Sequence, residues 1–272
     1  MAQKASAIVL AGNGTNCEVE TAHACRSGGF TKVDIVTIWE LLDADATLTD
    51  YDFLVFPGGF LDGDDLGSAK AQANRLLHTK IKGRDVTLFE QLLTFIDNGK
   101  LILGICNGFQ LMIKLGLIPA MKQYGLQEAT LTNNDSGRFE ARWVNLKTNP
   151  DSPCVFTKGI SSMYLPVRHG EGKFVPLDRD ILAWITSRNQ VVVSYTDPDQ
   201  NNEVTIKYPQ NPNGSQRGIA GICDPSGRIF GLMPHPEAYL HRTNHPRWTR
   251  EELPEDGDGL AIFKNAFEYL HG

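Results

Sequence analysis

Stretches of helical periodicity alternate, in the first half of the chain, with short apolar runs at residues 7–10, 33–38, 53–56 and 101–105. Because successive positions in each run are apolar, each predicts a strand that is buried on both faces of a sheet. A helix is predicted at 18–27, where Gly28-Gly29 ends it. A second is predicted at 88–98, where Thr87 and Glu90 form a capping box. This alternation predicts an α/β fold, in which a mostly parallel sheet carries helices on both faces.

The second half of the chain has a different pattern. Five strands are predicted there, between turns of Gly, Pro, Asn and Asp, at residues 141–146, 163–167, 191–195, 218–222 and 229–233. They indicate an added, more antiparallel portion of the sheet. A final helix after Asp258 docks on the core through one apolar face, made of Leu260, Phe263, Phe267 and Leu270. The polar stretch 62–84 predicts a surface excursion, and without a Pro-, Gly- or Ser-rich linker we expect residues 1–272 to form a single domain.

Composition and charge narrow the functional classes. Apolar residues make up 41% of the 272 positions, charged residues make up 21%, and the net charge is −6. This balance indicates a globular chain, and a mildly acidic one has no electrostatic reason to bind nucleic acid or an anionic membrane. Five cysteines without a C-x-x-C pair argue against a secreted disulfide framework and against a zinc finger. No apolar run resembles a signal peptide or reaches the roughly 18–20 residues of a membrane span, so we expect a cytoplasmic protein.

The strongest chemical signal is K-L-I-L-G-I-C-N-G-F-Q, in which a buried strand meets a helix at Gly104, Cys106 and Gly108. G-x-C-x-G is the thiol form of the nucleophile elbow, a tight turn that holds the nucleophile in a strained backbone conformation. The flanking glycines avoid collisions with neighbouring backbone. Cys106 then lies at a helix N-terminus, where the helix dipole favours the thiolate. A buried structural cysteine is the alternative, and the strand–turn–helix context argues against it.

A base for this nucleophile is predicted in M-P-H-P-E, where a strand delivers His235 between two prolines and Glu237 follows two residues later. Side chains at i and i+2 of an extended segment leave the same face, so the carboxylate can hold one imidazole nitrogen while the other faces the sulfur. Taken alone, the motif is more often a loop histidine beside a solvated glutamate.

The spacing of Glu237, His241 and His245 also permits a zinc site on a helix, but prolines on both sides shorten any such helix, so no metal is expected.

Oxyanion donors are predicted where the strand at 53–56 ends in P-G-G-F, residues 57–60. Backbone N–H groups of this turn, together with that of Asn107 after the nucleophile, can converge on one oxygen. By itself, P-G-G is more often an ordinary turn, so this assignment depends on the other two motifs.

The motifs P-G-G, G-I-C-N-G-F-Q and M-P-H-P-E, in this order, resemble those of the class I, or triad-type, glutamine amidotransferases. Further motifs resemble one branch of that family, the glutaminase subunits of a purine-biosynthetic synthase: G-T-N-C-E at 14–18, N-D-S-G-R-F-E at 134–140, H-G-E-G at 169–172 and N-P-N-G-S at 211–215. The resemblance extends over most of the chain. It implies the flavodoxin-like fold of that family.

The resemblance also implies a role for each site residue. Cys106 would attack the side-chain amide of L-glutamine and form a glutamyl thioester, which water resolves after ammonia has left. His235 would be the general base and acid, and Glu237 would orient it. Contacts with glutamine are expected from Gly58, Gly59, Phe60, Asn107 and Gln110.

A partner follows from the same resemblance. Ammonia would pass to a synthase subunit that activates formylglycinamide ribonucleotide with ATP and Mg²⁺, and the assembly can include a small accessory subunit. This chain has no Walker A pattern and no room for that synthase. We therefore expect a stand-alone glutaminase subunit with no cofactor of its own.

Two other functions stay open at this point, a glutaminase subunit of a different synthase and a non-catalytic regulatory module on the same fold. Ala238-Tyr239 follows H-P-E where the family usually has an arginine, and the 62–82 segment is long and polar, so both bear on the partner surface. His169 is ambiguous between a supporting and an interface residue. The remaining cysteines are expected to be small buried residues: Cys17, Cys25, Cys154 and Cys223.

Overall fold

The structure, a computed structural model, describes residues 5–64 and 66–272. Its strands are β1 Ser6–Ala11, β2 Lys32–Thr37, β3 Phe53–Phe56, β4 Leu101–Ile105, β5 Ala129–Thr132, β6 Glu140–Thr148, β7 Ser162–His169, β8 Lys173–Pro176, β9 Val191–Asp197, β10 Glu203–Val204, β11 Ile219–Cys223 and β12 Ile229–Leu232. Its α-helices are α1 Glu18–Ser27, α2 Ile38–Leu42, α3 Lys70–His78, α4 Leu88–Asp97, α5 Asn107–Lys114, α6 Arg179–Ser187 and α7 Leu260–His271. Within the described residues, no helix is long and apolar enough to cross a lipid bilayer.

One sheet contains most of the strands, in the order β2-β1-β3-β4-β12-β11-β9-β6-β7, with β10 beside β9. The strands from β2 to β12 in this order run parallel, and those beyond β12 pair antiparallel. The predicted parallel sheet with an added antiparallel portion is thus confirmed. Strand β12, expected in the antiparallel half, joins the two portions, because it pairs parallel with β4 and antiparallel with β11.

Both faces of the parallel portion are covered by helices. On one side, Phe53 of β3 stacks on Phe30, which follows α1, and α1 packs against α7. On the other side, Leu54 lines an apolar pocket with Leu76 of α3 and Leu92 of α4. Burial on both sides explains why β1, β3 and β4 are apolar at nearly every position.

The predicted ends of two helices are confirmed. Helix α1 ends at Gly28, and the following Gly29 has φ = 120°, a conformation that glycine adopts without a steric penalty. Helix α4 begins with the predicted capping box, in which the Glu90 N–H donates to Thr87 Oγ1 at 3.2 Å and the Thr87 N–H donates to the Glu90 carboxylate at 2.7 Å. A cap of this kind stabilises a helix by about 1 kcal/mol.

The predicted excursion at 62–84 is only partly a surface segment. Residue 65 lies outside the described residues, but helix α3 packs on α4 and α5 with Gln72, Ala73 and Leu76 buried. Its buried face is largely polar or small, which conceals the helical period in the sequence. The short elements α2, α6, β5 and β8, each of nine residues or fewer, are also absent from the sequence prediction, because a pattern this short carries little periodicity.

Candidate active site

Four loops meet at the carboxyl edge of the parallel strands, where open α/β sheets place their binding sites. These loops follow β1, β3, β4 and β12. Strands β4 and β12 are direct neighbours, with Ile105 opposite Leu232, so Cys106 and His235 emerge at the same edge. Thr15 bridges to Gly59, which ties the loop after β1 to the loop after β3.

Cys106 occupies the predicted elbow between β4 and α5. Its backbone has φ = 50° and ψ = −102°, a combination that non-glycine residues rarely adopt. Its N–H donates to Leu232 O at 2.8 Å, and its carbonyl accepts from the Gln110 N–H at 3.0 Å, so the neighbouring elements hold the strained residue in place. Strain of this kind typically costs about 1–3 kcal/mol and is common at active sites.

The two glycines of the elbow are required because backbone and side chains approach them closely. A Cβ added at Gly108 would lie 1.9 Å from the Phe56 carbonyl oxygen, and one at Gly104 would lie 2.2 Å from Met112 Sδ. The first contact joins α5 to the end of β3 and leaves no space for any side chain. The spacing of glycines in G-x-C-x-G is therefore a packing requirement of the strand–turn–helix connection.

Gly108→Ala is expected to lower the unfolding free energy by about 1–3 kcal/mol, the usual cost of overpacking. Glutamine hydrolysis, the activity that the sequence motifs predict, should fall roughly 10²-fold as well, because the shift displaces the sulfur. Thermal denaturation and a hydrolysis assay measure the two effects. Gly170→Ala is the stability control, since its new Cβ would meet only Phe139 Cδ2, at 4.0 Å. Equal melting temperatures for the two variants would contradict the packing argument.

His235 and Glu237 form a buried pair at 2.6 Å, from imidazole Nδ1 to carboxylate Oε1. Both residues are at least 97% shielded from solvent, with exposed fractions of 2% and 3%. The His235 N–H donates to Pro166 O at 2.8 Å, which fixes the backbone beside β7. Burial lowers the pKa of His235, but the Glu237 carboxylate and the side chains of Cys106 and Cys17 outweigh it and hold that pKa well above its usual value. The Glu237 carboxylate therefore favours the imidazolium form of His235.

Arg168, which was not predicted from the sequence, contacts both Cys106 and Glu237. Its carbonyl oxygen accepts from the Cys106 thiol at 3.6 Å, and its guanidinium Nη2 lies 3.7 Å from Glu237 Oε1. The Arg168 side chain is 46% exposed, whereas the Glu237 side chain is fully buried. A surface cation thus compensates a buried negative charge next to the imidazole.

The turn after β3 is held by the loop after β1. The Phe60 N–H donates to Gly14 O at 2.7 Å, so it is not free to bind an oxyanion, and the prediction that every N–H of this turn is an oxyanion donor is wrong for Phe60. The Gly58 and Gly59 N–H groups have no acceptor among residues 5–64 and 66–272, so they are the donors that this turn can offer. Gly58 lies against the His235 ring, because a Cβ there would be 2.8 Å from His235 Cε1. The Phe60 side chain is 45% exposed and pairs with Phe139.

Asn107 and Gln110, predicted as glutamine contacts, belong to a buried hydrogen-bond chain at the start of α5. Asn107 Oδ1 accepts from the Leu61 N–H at 3.0 Å, and Asn107 Nδ2 donates to Gln110 Oε1 at 2.9 Å. Gln110 Nε2 in turn donates to Glu171 O at 2.7 Å. Their side chains therefore tie the elbow to the loop after β3 and to the H-G-E-G loop.

Cys17 is buried, as the sequence predicted, but it lies beside His235 and Glu237. It begins α1 in the loop after β1, and its sulfur lies within 4.8 Å of ligand atoms of His235 and Glu237. The other three minor cysteines are buried as expected. The position of Cys17 directly beyond a predicted parallel strand was the signal that could have placed it at the carboxyl edge.

His169 anchors a buried polar network near His235. Its Nδ1 lies 3.1 Å from Asn134 Oδ1, which also accepts from the Gly172 N–H at 3.0 Å. Ser215 Oγ donates to Gly172 O at 3.3 Å, so the N-D-S-G-R-F-E, H-G-E-G and N-P-N-G-S motifs converge here. Burial, and then the charge of His235, lower the pKa of His169 to about 3, so this ring is neutral.

The alternative zinc triplet does not assemble. His241 Nε2 lies 2.5 Å from Glu255 Oε1, and His245 packs among Trp143, Tyr164 and Tyr239. Neither histidine joins Glu237, which is engaged by His235. Prolines limit this segment to short 3₁₀ turns, as the sequence predicted.

Comparisons with known proteins agree with this geometry. The model of the CobB/CobQ-like glutamine amidotransferase domain matches residues 4–270. The chain is 45% identical to Phosphoribosylformylglycinamidine synthase subunit PurQ of Dehalococcoides mccartyi, over 98% of each chain, and 46% identical to the PurQ subunit of Methanococcus maripaludis, over 97% of each. The solved structure of PurLQS from Thermotoga maritima matches with a TM-score of 0.70 and 30% identity, over 98% of this chain and 100% of that one.

Proposed function

Since the chain belongs to the CobB/CobQ-like glutamine amidotransferase family, we propose that Cys106, His235 and Glu237 are its catalytic triad. Whole-length similarity to PurQ subunits identifies the function as that of the glutaminase subunit of phosphoribosylformylglycinamidine synthase, in purine biosynthesis. The observation that supports the triad most directly is the 2.6 Å His235–Glu237 contact beside a cysteine held at φ = 50°. The family and the function expected from the sequence motifs are thereby confirmed.

The proposed first half-reaction is acyl transfer from glutamine to sulfur. His235 takes the Cys106 proton through Nε2, the ring nitrogen that Glu237 does not engage, and the sulfur attacks the side-chain amide carbon. As the tetrahedral intermediate collapses, the imidazolium returns a proton to the leaving nitrogen. Ammonia departs and a glutamyl thioester remains on Cys106.

Developing negative charge on the amide oxygen needs two hydrogen-bond donors. The Asn107 N–H is one of the unpaired N–H groups in the first turn of α5, and Gly59 follows β3 at the same edge of the sheet. We assign the oxyanion hole to these two groups. Removing one such donor in other enzymes typically lowers kcat about 10²–10³-fold.

Water completes the cycle. His235 removes a proton from a water molecule, the resulting hydroxide attacks the thioester carbonyl, and the Cys106 thiol is regenerated as glutamate leaves. The sum is glutamine and water to glutamate and ammonia. We also assign contacts with the substrate to Gly58, Gly59, Phe60, Asn107 and Gln110, of which Phe60 contributes its exposed ring and not its N–H.

The ammonia passes to the synthase subunit, which uses ATP; we propose that Mg²⁺ and ATP are bound by that partner and that this subunit carries no cofactor. A cytoplasmic location suits a purine-biosynthetic enzyme with five free cysteines. A single domain over residues 1–272 suits a core in which α7, at the carboxyl end, packs on α1 near the amino end.

The subunit alone is expected to hydrolyse glutamine slowly. Adding the synthase with formylglycinamide ribonucleotide and ATP should raise the rate about 5–150-fold, the usual range of allosteric coupling. The physical reason is that a partner can order the turn at Gly59, whose neighbour Gly58 lies against the His235 ring, or the rim near residues 241–248, which follows Glu237 in the chain. Steady-state glutamate release, with and without the partner, measures the effect.

Full activity of the isolated chain, unchanged by the synthase, would reject this coupling and favour an independent hydrolase. Stimulation by a different synthase only would identify another amidotransferase. Absence of hydrolysis under every condition would favour a non-catalytic regulatory module, although the intact triad argues against that function.

A further inference from the structure

Cys17 places a second thiol beside His235 and Glu237. Ligand atoms of Cys17, His235 and Glu237 all lie within 4.8 Å of one another, and all three residues are buried. A Cβ added at Gly58 would lie 3.2 Å from the Cys17 sulfur, 2.8 Å from His235 Cε1 and 3.4 Å from His235 Nδ1, so the sulfur and this edge of the ring border the same point. Nδ1 is the nitrogen that contacts Glu237. The three groups therefore converge on the Nδ1 side of the ring.

A second, independent feature is the free carboxylate oxygen in this cluster. Glu237 Oε2 is buried and has no hydrogen-bond partner among residues 5–64 and 66–272, while Oε1 serves His235. A buried carboxylate oxygen without a partner is energetically costly and rare in native proteins. Glutamine hydrolysis as derived above uses only the Oε1 contact, so Oε2 and the Cys17 thiol are available for another ligand.

We propose that Cys17, His235 and Glu237 form a binding site for Zn²⁺, through which the metal switches off glutamine hydrolysis; the inhibitory effect depends on the proposed roles of His235 and Glu237. Thiolate, imidazole and carboxylate are the donors that Zn²⁺ prefers. Tetrahedral bonds of about 2.0–2.3 Å place ligand atoms roughly 3.3–3.8 Å apart. Atoms already within 4.8 Å need to close by only about 1 Å, and a fourth position stays open for water.

Binding at Nδ1 explains why the metal would be inhibitory. Zn²⁺ takes the place of the Nδ1 proton, and the Cys17 thiol and the imidazolium each release one proton to solvent as they become ligands. Glu237 then coordinates the metal instead of orienting His235. The ring can no longer become the imidazolium that protonates the leaving nitrogen.

The test uses the full chain in complex with its synthase, with Zn²⁺ added to glutaminase assays and Co²⁺ added as a spectroscopic probe. Wild-type protein should bind one Co²⁺ with a thiolate-to-cobalt charge-transfer band. Cys17→Ser keeps the size of the side chain and should lose that band. Its Zn²⁺ inhibition constant, measured from rates normalised to the metal-free variant, should be at least ~10-fold higher than that of the wild type. Cys25→Ala is the matched control, because Cys25 is buried on the same helix, away from the triad.

Cys106→Ala separates this site from metal capture by the nucleophile. The cobalt–thiolate band should persist in Cys106→Ala and in Cys25→Ala. A band that survives in Cys17→Ser, or disappears in Cys106→Ala, overturns the proposal. Absence of Co²⁺ binding to a wild-type complex that hydrolyses glutamine also overturns it, whereas a complex that binds Co²⁺ but never hydrolyses glutamine contradicts the proposed function instead.

Discussion

Replacing Cys106 with alanine abolishes glutamine-dependent synthesis by the assembled complex and leaves ammonia-dependent synthesis unchanged. The expected loss is roughly 10⁴–10⁶-fold, the range seen when the nucleophile of a triad is removed. Without the sulfur no thioester forms, but added ammonia enters the synthase reaction directly. Parallel assays with glutamine and with an ammonium salt measure the two rates.

Cys154→Ala is the matched control, because Cys154 is also a buried, free cysteine, and it lies in a groove against α7 that contains no triad residue. It should retain both activities. If Cys106→Ala kept its glutamine-dependent rate, the nucleophile assignment would be wrong. If it lost the ammonia-dependent rate as well, Cys106 would be needed for folding or assembly.

The second large effect is a graded loss at the base and its orienter. His235→Ala should lower glutamine hydrolysis about as much as Cys106→Ala, since the proton transfers in both half-reactions depend on this ring. Glu237→Gln should cost less, roughly 10²–10⁴-fold, because the amide can still accept a hydrogen bond from Nδ1 but cannot stabilise the imidazolium. Equal losses would indicate that Glu237 is needed mainly for folding.

The pH dependence of Glu237→Gln provides a readout that a purely structural role would not change. Burial lowers the pKa of His235, and the Glu237 carboxylate is the largest of the groups that raise it, so removing the carboxylate charge lowers that pKa. The imidazolium that protonates the leaving nitrogen is lost as pH rises through this pKa. The descending limb of the kcat/KM profile should therefore move to lower pH in the variant. A limb at the wild-type position would contradict the role of Glu237.

The elbow and the H-P-E pair could be predicted because local sequence determines them. Cys106 is held by glycines within two residues of it, and His235 and Glu237 are separated only by Pro236. The extended segment expected there is wrong, because Pro236–Ala238 forms a 3₁₀ turn, but the turn still brings the two side chains together. The parallel strands could be predicted equally well, since burial on both faces leaves continuous apolar runs in the chain.

Features that depend on distant contacts could not be predicted. The Phe60 N–H looked free in the sequence, but Gly14, 46 positions earlier, accepts its hydrogen bond because β1 and β3 are neighbours. Arg168 reaches Glu237 only through the antiparallel strand β7, and Cys17 reaches His235 only because β1 and β12 end at the same edge. Helix α3 was missed for a different reason, since its buried face includes Gln72.

Trapping the acyl-enzyme tests the central claim most directly. The complex is quenched in acid during turnover of glutamine, digested, and mapped by mass spectrometry, with Glu237→Gln used to slow breakdown of the intermediate. We predict a γ-glutamyl adduct on the peptide that contains Cys106, and unmodified peptides for Cys17, Cys25, Cys154 and Cys223. The account would be contradicted if glutamine were hydrolysed steadily while the adduct formed on another cysteine, or while neither the wild type nor Glu237→Gln carried an adduct.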